Sequence, residues 1–60
     1  MANGVTITGS VDDEDKKRGM TLGEVAHWVE RAQEAGIAPD TPVGVVTGWR
    51  GQIHKLEASS

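Results

Sequence analysis

Four groups of residues have the types and spacings that can do chemistry. Glu24-Val-Ala-His27 has the Glu-x-x-His spacing that sets two metal ligands on one face of a helix, and Glu30 continues it three residues on. Bundles that hold metal this way aim the ligands inward and draw more from other helices. Here Glu24, His27 and Glu30 fall opposite the apolar stripe of a single helix, so they read as solvent-facing polar positions and no metal is assigned. Asp12-Asp13-Glu14-Asp15 offers paired carboxylates, but acid/base work needs fixed geometry and shifted pKa values, and this run reads as a solvated charge cluster. His54 has no partner identifiable from the sequence. Gly48-Trp49-Arg50-Gly51 puts a large aromatic beside a guanidinium between two glycines, residue types enriched at binding hot spots. Its G-x-x-G spelling is shared with the clamp loop of one RNA-binding module, but that loop joins helices in a basic context, and neither condition holds here.

The remaining inventory is thin. The chain has no cysteine, no G-x-S-x-G elbow, no phosphate-binding loop and no G-x-G-x-x-G after a strand. Catalytic and cofactor-binding residues are therefore assigned to none, and an enzyme would have to complete its site with a second subunit. Trp28, Trp49 and Arg50 are the candidate partner-binding residues. Trp28 sits on the flank of the helical stripe beside Ala32 and Ala35, where core or rim packing competes with a role at an interface. Trp49 either folds back over the sheet or contacts a partner.

These residues need a frame, and the clearest element is a helix over 21–35. Thr21-Leu-Gly-Glu24 is a capping box, and Met20 before the cap with Val25 inside the helix forms a hydrophobic staple. Leu22, Val25, Ala26, Val29 and Ala32 fall on one stripe, with Glu24, His27, Glu30, Arg31 and Glu34 on the other side. Gly36 and Ile37 predict a Schellman stop, with Pro39 beyond it.

After the turn, Thr41 to Thr47 reads as a strand with Val43 and Val45 on one face, and Gln52 to Ala58 as its return across a glycine-flanked tip. Ile53 and Leu56 are an odd number apart and share a face only if a bulge or the strand end intervenes. Pro42 lacks an amide, which places it at an edge or before the first ladder bond. Val5 to Thr8 alternates as a short half-buried strand. Gly9 to Gly19 packs four acids and three bases around one apolar residue and reads as a flexible loop.

The expectation is an α+β fold, a small βαββ domain with one amphipathic helix on a two- or three-stranded sheet. Residues 20–58 form the helix and hairpin domain, and residues 1–19 a weak strand and charged loop. A first strand joining as a parallel neighbour would imply a right-handed crossover. The alternative is an αββ unit whose missing layer comes from a second copy.

Length and composition narrow the function classes. Sixty residues make one module, with a core expected to supply no more than about 3–5 kcal/mol unless stapled. Without cysteine, self-association is the cheapest way to bury more surface, and a homo-oligomer, a dimer first, is expected. Nine acids against six bases give a net charge of −3, which argues against direct binding to nucleic acid. No apolar run approaches a membrane span and the N-terminus has no basic start followed by an apolar stretch, so the cytoplasm is the expected location.

Met20 to Leu56, with its short amphipathic helix, its A-P-D-T-P-V turn and its hairpin, resembles small uncharacterised accessory proteins of actinobacteria and their phages. The resemblance implies an interaction factor that binds a host protein and transfers no role to any particular residue. The composition leads to the same class, a non-catalytic protein-interaction module. A regulator of nucleic acid, or of a nucleic-acid-binding protein, working through the Trp49-Arg50 tip is the alternative.

Overall fold

The computed structural model describes residues 4–60. Strand β1 runs Thr6–Ser10, helix α1 Leu22–Glu34, strand β2 Gly44–Thr47 and strand β3 Ile53–Ser59, with a single 3-10 turn at Asp13–Asp15 between β1 and α1. The three strands form one antiparallel sheet in the order β1-β3-β2. One helix packs on this sheet, so the chain is a small α+β domain. The last strand enters between the first two, and β1 therefore pairs antiparallel with β3 instead of lying beside a parallel neighbour. Among the described residues, no helix is long and apolar enough to cross a membrane.

The ends of α1 follow the local chemistry of the chain. The Thr21 hydroxyl accepts from the Glu24 amide at 3.2 Å, while the Glu24 carboxylate accepts from the Thr21 amide at 2.8 Å. At the other end the Ile37 amide donates to Ala32 and the Gly36 amide to Gln33, the two bonds of a Schellman motif, with Gly36 at φ +87. Ile37 is carried from there into the core.

Register decides which sheet residues face the helix. Ile7 opposes Ala58 and Gly9 opposes Leu56, so these four share the face that packs on α1. Thr6, Thr8, Lys55, Glu57 and Ser59 lie on the opposite, open face, where the Thr6 and Ser59 hydroxyls meet at 3.0 Å. A register shift between Val46 and Thr47 lets Ile53 pack against the cluster that holds Leu56, the bulge that their odd spacing demands. Strand β2 begins only at Gly44, after Pro42.

The core is formed by Trp28, Ala32, Ile37, Leu56 and Ala58, with Ile7, Met20, Val25 and Ile53 packed around it. Two expectations change here. The apolar stripe divides: Val25 and Ala32 turn inward beside Trp28, whereas Leu22 is 85% exposed and Val29 remains on the surface. Trp28 takes the centre because its indole has by far the most apolar surface to remove from water.

The charged segment is also held in place. The Val11 amide donates to His54, the Met20 amide to Ile53, and the Lys16 carbonyl accepts from His54 Nε2 at 2.8 Å and Gln52 Nε2 at 3.2 Å. Residues 6–10 thus pair with β3, and the segment up to Met20 hydrogen-bonds to the rim of the same sheet; the first three residues of the 1–19 expectation lie outside the described residues. Backbone hydrogen bonds to β3 supply what the composition of the segment lacks.

Candidate functional site

The hairpin loop between β2 and β3 carries the first candidate. Its backbone closes through the Gly48 amide to Gln52 and the Gly51 amide to Gly48, and Gly51 takes the positive φ of +81 that the turn requires. Gln52 then works in two directions. Its Oε1 accepts from the Arg50 amide at 2.8 Å, and its Nε2 donates to the Lys16 carbonyl at 3.2 Å. One side chain thereby fixes the loop internally and ties it to the segment before α1.

On this fixed loop Trp49 is fully exposed. It does not fold back over the sheet. Arg50 is exposed beside it, and among the described residues its side chain forms no ion pair. On a loop hydrogen-bonded in this way, binding would have chiefly side-chain rotamers left to order, few for the indole and more for the guanidinium. Gln52 was not among the candidates from sequence. The available signal was a long amide one residue beyond the second glycine, placed to satisfy the turn backbone.

Trp28 leaves the partner-binding set. It is 4% exposed and lies at the centre of the core, so in the folded chain it contributes no more than part of a groove floor. The sheet covers it through Gly9, Leu56 and Ala58. Its Nε1 is buried without a hydrogen-bond partner, an uncompensated polar atom that costs about 1–3 kcal/mol and is outweighed by burial of the ring.

The helical polar face is organised by ion pairs. Arg18 reaches Glu24 at 3.0 Å and Asp15 at 3.3 Å, linking the 3-10 turn to the start of α1, and Lys16 meets Asp13 at 3.0 Å. The Thr21 backbone amide, then Arg18, hold the Glu24 carboxyl below its ordinary range, and Glu24 with Asp15 raises the Arg18 guanidinium. Glu24 is thus occupied as a cap. Among the described residues, no three His, Asp or Glu side chains come together as metal ligands. Glu24, His27 and Arg31 instead border an open groove on the β1 side of the helix, facing Thr8 and Ser10.

A second groove, of about 230 Å3, lies on the β2 side between Val29, Ala32 and Gln33 of the helix and Val43 of the hairpin, floored by Trp28, Ile37 and Ala58. Its lining is mostly apolar, in contrast to the charged rim of the first. Comparison of the chain with protein-family models, with curated proteins and with solved structures finds no match.

Proposed function

We propose that this protein is a non-catalytic interaction module that self-associates and binds a second protein through the Trp49-Arg50 tip, in the manner of an accessory regulator acting on a host protein in the cytoplasm. The observation that carries the reading is the fully exposed Trp49 on a loop braced by Gln52. An indole in water forgoes the roughly 1.5–3 kcal/mol that burial of a large apolar side chain provides, and a partner surface is where that energy is recovered. The neighbouring guanidinium adds a directional donor for a carboxylate or a backbone carbonyl of the partner.

The experiment is affinity capture from host lysate with the wild type, Trp49→Ala and Gln52→Ala, followed by titration of the identified, purified partner. The reading expects a protein bound by the wild type, lost with Trp49→Ala and weakened with Gln52→Ala. Equal binding by all three refutes it. The same exposed indole face favours a second reading, stacking on an unpaired base, against which the net charge of −3 works. Titration with single-stranded DNA at low salt, read by Trp fluorescence, separates the two: quenching that disappears in Trp49→Ala supports the base-stacking reading.

A further inference from the structure

The helical stripe is wider than its own sheet can cover. At about 100° per residue, Trp28, Ala32 and Val25 point at the sheet, while Leu22, Ala26 and Val29 fall together on the flank that faces β2. Val29 marks that flank directly, since it borders the groove with Val43. The polar residues Glu24, His27 and Arg31 turn the other way, toward β1. Three apolar side chains are thus left on one side of α1 with no charged residue between them.

The sheet has a matching deficit. Val45 opposes Leu56, and directly opposed residues share a face, so Val45 lies on the helix side, with Val43 two positions earlier. Both are nonetheless half exposed, at 52% and 50%. The helix comes closest to the sheet at β1 and leaves the β2 side open. Strand β2 is also an edge, and the segment from Thr41 to Thr47 has neither a charge nor a bulky polar group to protect it.

We infer that a second copy of this chain covers this patch, the Leu22-Ala26-Val29 ridge of each copy entering the groove beside Val43 and Val45 of the other. The inference deepens the self-association part of the proposed function, on which it rests. Three observations fit a second copy as the occupant. The patch holds a ridge and a groove side by side, which is what a two-fold contact requires, because each copy must offer both halves of the same fit. The patch is free of charge although the chain carries −3, so two copies meet here without like charges at the centre of the contact. Finally, among the described residues no side chain is fully removed from water, and the core of five buried residues gains from a contact that extends over Val29, Val43 and Val45.

Sedimentation velocity with the full chain at high micromolar concentration tests the inference. The wild type is expected to sediment as a dimer. Leu22→Lys changes a side chain that is 85% exposed, so the monomer stays folded by circular dichroism while dimerisation weakens by more than about tenfold. Val45→Glu is expected to do the same, and an equimolar mixture of the two variants to restore a heterodimer, since one contact then pairs Lys with Glu and the other is unchanged. Trp49→Ala leaves the dimer intact, which separates this surface from the hairpin tip. A wild type that stays monomeric at this concentration overturns the inference, as does a Leu22→Lys variant that dimerises as well as the wild type, and neither result bears on partner capture through Trp49.

Discussion

The indole of Trp28 lies against the bare backbone of Gly9: a Cβ added at position 9 would stand 2.7 Å from Cδ1 of the ring. The largest core residue of the helix is therefore seated by the smallest residue of the first strand. This contact explains how a chain with two aromatic residues closes a core over β1.

Gly9→Ala is expected to force the indole from its seat and to destabilise the domain by about 1–3 kcal/mol, the usual cost of overpacking. For a domain of this size that is a large share of the total. A urea titration followed by Trp fluorescence measures it, and an unchanged midpoint would refute the packing described.

Glu24 links stability to pH. Its folded-state pKa lies below the ordinary value of 4.5, so its contribution is fully present above that value and is lost as pH falls through the lower folded pKa. Glu24→Gln retains a side-chain acceptor for the Thr21 amide but cannot titrate. Melting temperatures of the wild type should fall on acidification more steeply than those of the variant, and parallel curves would rule out this linkage.

The capping box can be tested from its other arm. Thr21→Ala is expected to cost about 0.5–2 kcal/mol. In the proposed dimer, association stabilises the folded chain by mass action, so melts at two protein concentrations about a hundredfold apart should show part of that loss recovered at the higher one. Concentration-independent melts would contradict a dimer that covers α1.

Two glycines at the ends of α1 should respond oppositely to the same change. At Gly36 an added Cβ meets open space, but φ is +87, so Gly36→Ala is destabilising by about 1–2 kcal/mol through the backbone alone. At Gly23, inside the first turn with nothing near its Cβ, Gly23→Ala is stabilising by about 0.5–1 kcal/mol. Thermal melts of both variants read the two signs.

Trp49→Ala is expected to leave stability within about 0.5 kcal/mol of the wild type, since the side chain is fully exposed. Acrylamide should quench the wild type in two phases, an accessible Trp49 and a protected Trp28, and Trp49→Ala should remove the accessible one. A single quenching phase in the wild type would contradict these placements.

Local signals determined α1 and its ends. The Thr21-Glu24 box, the Gly36-Ile37 stop, the break before Gly44 and the odd spacing of Ile53 and Leu56 each depend on neighbours within a few residues, and a linear chain states such relations directly. The glycine-flanked Trp49-Arg50 tip was legible for the same reason.

Only the tertiary structure decided which apolar residues are core. The stripe on α1 is broad enough to rotate either way, and Trp28 turned inward because Gly9, far away in sequence, leaves room for its ring on that side. That rotation left Leu22, Ala26 and Val29 on the β2 flank. The order β1-β3-β2 and the anchoring of Lys16 by Gln52 and His54 rest likewise on contacts between residues more than thirty positions apart. Composition made the charged segment read as a flexible loop because composition counts apolar side chains. The hydrogen bonds that hold this segment come from backbone groups and two polar side chains of the last hairpin, and they exist only once β3 lies between the other two strands.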